Sequence, residues 1–223
     1  GYDEEVLKKA EFYKKRFGFG FVPRQSADWA WIEHMLASAK DNGSRVGIVI
    51  DNGCLFRGGK EKTIRSAVLS AQHDLVEYVI LLPEKLFYNT GAPGAIIIFN
   101  QHKPAERKGK VLFINASKEA EQHPEVRKLN RLSYANIQKI ADAYNKYSEE
   151  KGFSRIVPIK EIIEQNDSNL NVTLYIMQDD ESEGINIAQE YAELKELEHQ
   201  RQDIATKLEQ YVSEIAKAQG ATK

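Results

Sequence analysis

The sequence predicts an α/β fold: one edge of a mixed sheet with covering helices, ending in a β-hairpin and followed by a long helical tail. Three observations predict it. Short apolar runs at residues 46–50, 75–82, 95–99 and 111–114 have the length and β-branched content of strands. Between the first two, residues 60–72 carry Ile64, Ala67, Val68 and Ala71 on one helical face, which makes a strand, helix, strand unit. Residues 185–218 repeat apolar side chains every seven positions, the pattern of a helix with a narrow seam.

Taken in order, residues 3–16 are mostly charged, with Val6, Leu7, Ala10 and Tyr13 at helical spacing, and the run Arg16-Phe17-Gly18-Phe19-Gly20-Phe21 then breaks that pattern. Asp28 is placed to cap a helix whose apolar face carries Trp29, Ile32, Leu36 and Ala39. The run 46–50 reads as a strand covered on both faces. Pro83 closes the second strand, and a polar basic turn at 102–110 separates the third from the fourth, which suits a hairpin. A Ser133 cap precedes a helical face of Ile137, Ile140, Ala141 and Tyr144. Residues 160–165 read as helical, 166–171 as turns, 172–177 as a last short strand and 179–183 as an acidic linker. Three or four strands with one crossover make a poor independent sheet, so further strands are expected from sequence before Gly1. Domain bounds follow at 1–115, 116–178 and 179–223.

Composition excludes several classes. Lys and Arg number 31 against 33 Asp and Glu, a net charge of -2, so any nucleic-acid contact must come from a local patch. The single cysteine, Cys54, excludes an internal disulfide framework and reads as a buried structural residue. The five histidines are scattered without ligand spacing, so no metal site is expected. No apolar run is long enough to span a bilayer and residues 1–4 lack signal-peptide character, which leads to a cytoplasmic expectation and no membrane partner.

In the tail, Ile187, Leu194, Arg201, Leu208 and Ile215 occupy one heptad position, and Leu197, Ile204, Tyr211 and Ala218 the other. The remaining positions are rich in Glu, Lys and Gln, so the helix cannot bury its seam alone. It either folds back on the rest of the chain or packs with helices of another chain.

Four blocks carry a resemblance. RFGFGFVPRQSADWAWIEHML (16–36), DNGCLFRGGKEKTIRSAVL (51–69), LLPEKLFYNTGAPGAIIIF (81–99) and SNLNVTLYI (168–176) resemble, in order, segments of the modification (M) subunits of type I restriction-modification systems. These are adenine-specific DNA methyltransferases. In the last block Ser168, Thr173 and Leu174 depart from the family's Tyr-Asn-Leu-Asn-Ile-Pro-Arg-Tyr-Val. The family's glycine-rich S-adenosylmethionine motif and its Asn-Pro-Pro-Phe tetrapeptide are absent.

The resemblance therefore implies the second half of a Rossmann-like methyltransferase sheet with a family-specific extension and a subunit-docking helix. The intact subunit would be an S-adenosylmethionine-dependent enzyme; this chain alone is expected to be inactive and to bind no cofactor. Its implied partners are the specificity subunit, the restriction subunit and double-stranded DNA, the interface running through Leu194, Leu197, Ile204, Leu208, Tyr211 and Ile215. A different class of function, a non-catalytic module acting through the tail helix, stays open.

Methylating an adenine amine requires the base to leave the duplex. By resemblance, Phe87 is the aromatic that stacks on it, with Tyr88 the alternative one residue on; a plain plug at the sheet end is the competing reading of Phe87. Arg57 and Lys60, at a glycine-containing helix entry, are candidate phosphate contacts. Arg16 and Arg24, interleaved with Phe17, Phe19 and Phe21, suggest a mobile nucleic-acid loop near the base, although burial of that loop is equally open. Asp28 and Trp29 are possible neighbours of the cofactor, with Asp51 at a strand end a similar case.

Overall fold

The computed structural model describes residues 4–9, 11–40, 43–177 and 187–220. Contacts divide the chain into two compact units, Gly1–Gln178 and Asp179–Lys223. The expected linker at 179–183 lies outside the described residues.

The first unit opens with two short helices, α1 (Glu4–Lys9) and α2 (Glu11–Arg16). The next, α3 (Asp28–Ser38), buries Trp29, Ile32 and Leu36, spaced three and four apart so that they share a face. Its cap position is Ala27, with no side-chain cap, and Asp28 is the first helical residue. Capping was the expectation for Asp28, and its carboxylate is instead taken by Arg57. There follow β1 (Arg45–Asp51), a 3-10 turn at Asn52–Leu55, α4 (Gly59–Leu69) and β2 (Val76–Leu81). Next come β3 (Gly94–Asn100), β4 (Lys110–Asn115) and the two-residue strands β5 (Glu121–Gln122) and β6 (Asn130–Arg131). The helix α5 (Tyr134–Lys146), which carries the expected Ser133 cap, precedes β7 (Ser154–Pro158) and α6 (Ile159–Glu164).

Five strands form one mixed sheet in the order β1-β3-β2-β4-β7. The strand β3 is antiparallel to both β1 and β2, β2 and β4 are parallel, and β7 is antiparallel to β4. Hence β1, β2 and β4 point the same way. Residues 116–178 add β7 to this sheet, so they share its core rather than building another.

The expected pairing of the third and fourth runs is not what forms. The segment after β3 crosses the start of β2, where the buried Glu77 and the half-buried Asp74 hold it: Arg107 donates to Glu77 Oε1 at 3.2 Å, Lys103 to Asp74 Oδ1 at 2.6 Å, and the Gly109 amide to Asp74 Oδ2 at 2.8 Å. That crossing carries the chain from one side of β2 to the other. The long-looped hairpin is β2 with β3.

One face of the sheet packs Val79, Leu81, Ile97, Phe99, Val111, Phe113 and Val157 with the buried residues of α3, α4 and α6. The other packs Tyr78, Ile80, Leu112 and Ile114 against Ala143 and Phe153, with Ile140 and Tyr144 of α5 partly buried there. Ile137, expected on the same helical face, is half exposed. The strand β1 departs from the expected cover on both faces: it is the edge of the sheet, its residues alternate between exposed and half-buried or, at Ile50, buried, and Val49 is 55% exposed. Residues 172–177 form no strand; a 3-10 turn at Val172–Leu174 turns Tyr175 and Ile176 into the core, with Tyr175 stacked on Phe113 at 4.2 Å between ring centroids.

Among the described residues the second unit is one helix, α7 (Ile187–Gly220). Among the described residues no helix is long and apolar enough to cross a membrane.

Candidate functional site

In an open α/β sheet, ligands gather where parallel strands end at their carboxyl termini. Here that end collects Asp51, the 3-10 turn, residues 82–93 and the beginning of β3. The first turns of α3 and α4 join it, because Asp28 and Arg57 are tied together there. Asp51 accepts the Gly53 amide at 2.7 Å. The Arg57 guanidinium pairs with Asp51 at 3.2 Å, with the buried Glu61 at 2.7 Å and with Asp28, and Ser26 Oγ bridges to Glu61 at 2.6 Å. The hydrogen bond to Glu61, chiefly, and the nearby Asp28 push the Arg57 pKa up. Its charge is therefore used inside the protein. The role this geometry fits is positioning of Asp28 and of the turn into α4, in place of the expected phosphate contact.

Phe87 stands at the same end. Its ring is packed against Gly94, so close that a methyl group on Gly94 would sit 2.8 Å from Cε2. Glycine at the start of β3 is what lets the ring approach the backbone. With Val49, Ile50, Asp51, Thr90, Ala92 and Pro93, Phe87 lines a cleft of 260 Å³. That is just below the range of about 300–1,000 Å³ usual for whole-ligand sites, and so matches a single ring system. Tyr88 turns the other way; it is 77% exposed and lines a separate cleft with Lys85, Arg127 and Lys128. Lys85, Arg127 and Lys128 escape a sequence reading because Lys85 is more than forty residues from the other two.

The aromatic loop departs from its expected place. Phe17 stacks on Tyr13 and meets Phe21 at a tilt, and Phe19 packs edge-on to His73 at 5.0 Å. His73 precedes β2, at the opposite end of the strands from Phe87. Glu33 of α3 anchors this loop: it is 1% exposed and accepts the Phe19 amide at 2.9 Å, and burial raises its pKa to about 8. Its other oxygen, Oε2, is buried with no partner among the described residues. Arg16 lies against His34 of α3, away from the base side, whereas Arg24 and Lys60 are exposed, Lys60 in the first turn of α4. The geometry thus brings Phe87, Asp51, Asp28 and Arg57 together and leaves Arg16 apart.

Trp29 is fully buried, with its Nε1 donating to the Cys54 carbonyl at 3.0 Å. Cys54 itself is buried, and desolvation pushes its thiol pKa far up, which removes it from chemistry. Among the described residues no group of three metal-ligating side chains occurs. Along α7, Leu194, Leu197, Ile204, Leu208, Tyr211 and Ile215 are each more than half exposed; the side chains of Ile187 and Ala218 lie outside the described ones.

Residues 1–184 match the N-6 DNA methylase family. The chain is 50% identical over 222 residues to the type I restriction enzyme MjaVII methylase subunit of Methanocaldococcus jannaschii, covering 98% of this chain and 37% of that protein. It is 30% identical over 203 residues to the HindI methylase subunit of Haemophilus influenzae, covering 87% of this chain and 44% of that one. Among solved structures, the type I restriction-modification system methyltransferase subunit from Streptococcus thermophilus superposes with a TM-score of 0.64 at 33% identity, over 73% of this chain and 34% of that one. The chain thus spans less than half the length of these relatives.

Proposed function

The chain belongs to the N-6 DNA methylase family, and on that premise we propose that it supplies the target-base side and the subunit-docking helix of a type I DNA adenine-N6 methyltransferase. The observation that carries this reading is Phe87, held against Gly94 in a 260 Å³ cleft where the parallel strands end. In the proposed reaction the adenine leaves the duplex and stacks on the Phe87 ring, its amine directed past the end of β1. The ring supplies position: stacking offsets the loss of stacking in the duplex and holds the amine for methyl transfer. Arg57, fixed by Asp28, Asp51 and Glu61, keeps the wall of that cleft in place.

The family implies S-adenosylmethionine as methyl donor. The residues present do not fit it. Trp29 is enclosed and hydrogen-bonded, and the Asp28 carboxylate is occupied by Arg57. In the proposed enzyme the donor is held by other sequence, and this chain is inactive without it.

In the complete subunit, assembled with its specificity partner, Phe87→Ala is expected to lower methylation by roughly ten- to a hundredfold, the equivalent of about 1–3 kcal/mol of base stacking. The loss should shrink on a substrate with a mismatched target adenine, which costs less to unstack. Tyr88→Ala should matter less. Fluorescence of 2-aminopurine at the target position reports extrusion directly; wild-type fluorescence and turnover in folded Phe87→Ala would reduce the residue to a plug of the sheet end.

For α7, the proposal is docking against helices of the specificity subunit, with the restriction subunit and double-stranded DNA as further partners, in the cytoplasm. A stripe of six large apolar side chains left in water favours association. Changing Leu197, Ile204 and Leu208 to polar residues should abolish co-purification with that subunit while residues 16–176 stay folded. Retained complex would place the interface elsewhere.

A further inference from the structure

We propose that the cleft between residues 85–91 and residues 127–129 is a phosphate site for the DNA strand that carries the target base, a proposal that rests on the methyltransferase reading above. The cleft, 560 Å³, is lined by Lys85, Tyr88, Asn89, Thr90, Gly91, Arg127, Lys128 and Leu129. It contains three cations and no carboxylate.

These cations differ from the chain's other clustered ones. Arg57 pairs with three carboxylates, Arg107 with Glu77 and Lys103 with Asp74, whereas no ion pair to Lys85, Arg127 or Lys128 forms among the described residues. Glu84 and Glu125 are their sequence neighbours, yet neither lines the cleft. The larger cleft at the opposite end of the strands, 740 Å³, also holds lysines, but Asp74 and Glu164 line it too and Asp74 neutralises Lys103. An unneutralised group of cations beside an exposed aromatic is the pattern that tracks a nucleic-acid backbone.

The backbone holds the group in place. Lys85 adopts a left-handed conformation, φ 56°, with its amide donating to the Gly91 carbonyl at 3.2 Å. Its carbonyl accepts the Asn130 amide at 2.8 Å, and Asn130 Nδ2 donates to the Glu84 carbonyl at 2.9 Å. On the other side the turn between β5 and β6 closes around His123, whose Nδ1 accepts the Glu125 and Val126 amides at 3.2 Å each, and Leu129 is buried. The two loops are thus fastened to each other with Arg127 and Lys128 at the tip. Because Lys85 is two residues from Phe87, a phosphate held here adjoins a base stacked on that ring. The group therefore acts on the strand being distorted, and it holds the backbone while the base turns out.

The test uses the complete modification subunit with its specificity partner, on a duplex containing the target site. The variant Lys85→Gln/Arg127→Gln/Lys128→Gln changes only exposed side chains. Its affinity for DNA should fall about ten- to a hundredfold at physiological salt, and the slope of log affinity against log salt should flatten by roughly 2 to 3, near 0.9 for each phosphate no longer neutralised. Lys146→Gln, on α5 away from this end, should shift the slope by less than about 0.9, the value of a single phosphate. Replacing the phosphates flanking the target adenine by neutral methylphosphonates should weaken the wild type and leave the triple variant insensitive. An unchanged slope in the variant, or equal sensitivity of both proteins to methylphosphonate, would overturn the proposal. If the unaltered complex neither binds nor methylates DNA, the methyltransferase reading fails first and takes the proposal with it, an outcome visible without any variant.

Discussion

Glu33→Gln is expected to stabilise the folded chain above about pH 8, and to flatten a decline in stability that the wild type shows as pH rises. The folded-state pKa of Glu33 is about 8 against an ordinary 4.5, raised mainly by burial and opposed by the backbone amides of Phe19 and Gly20. Between those values the folded chain binds the proton and the unfolded chain does not, so stability is greatest below the unfolded pKa and is lost progressively up to the folded one. The two values cap that loss at about 5 kcal/mol, near 1.4 kcal/mol for each pH unit, and opening of the 17–21 loop to water would reduce it. Glutamine keeps an acceptor for the Phe19 amide and carries no charge into the pocket, at the cost of a buried amide nitrogen where Oε2 is unpartnered. Denaturant titrations of both proteins from pH 5 to about 9 give the difference directly. Parallel curves would mean that Glu33 is ionised in the folded chain.

Arg65→Met should destabilise the first unit by about 2–5 kcal/mol. Arg65 lies in the middle of α4 and is 1% exposed, yet no carboxylate ion pair to it forms among the described residues. It donates to three backbone carbonyls, of Ser168 at 2.9 Å, Cys54 at 3.2 Å and Arg57 at 2.7 Å. Methionine fills similar space without a donor. Cys54 would keep its bond from Trp29, but the buried Ser168 carbonyl would lose its donor, at about 1–3 kcal/mol, and the part-buried Arg57 carbonyl would lose one too. Removing a desolvated guanidinium, whose pKa burial lowers, offsets part of this. Because Arg65 fastens the 168–170 turn and the loop before α4 to one helix, proteolysis should move to those two segments first. A denaturation midpoint unchanged in Arg65→Met would show that these carbonyls find other donors.

The candidate site was legible in its parts and not in its assembly. Phe87 is singled out by the family resemblance alone, because a phenylalanine at a strand end reads by pattern as an ordinary plug of the core. Its exposure relative to Tyr88 is decided by one residue of loop geometry, which periodicity does not carry. Arg57 and Lys60 look equivalent as basic residues at a helix entry; only the approach of Asp28 and Asp51 from other elements shows that Arg57 is already neutralised. Lys85, Arg127 and Lys128 become one cleft through Asn130, whose amide and side chain join two loops far apart in sequence.

By itself the sequence determined the longer elements, though not the short strand it placed at 172–177, which is a 3-10 turn. Hydrophobic period marked the four apolar strands, the helical faces of α3 and α4 and the long tail, because the spacing of buried side chains follows directly from local backbone geometry. Ser133 announced its cap for the same local reason. The tertiary structure alone decided how the strands are ordered. The insertion of β3 between β1 and β2 rests on its ladders to both, and the crossing that separates β3 from β4 is held by Asp74 and Glu77 meeting Lys103 and Arg107. Those partners are about thirty residues apart, and local propensity is blind to a bond that exists only once both segments have been brought to the start of β2.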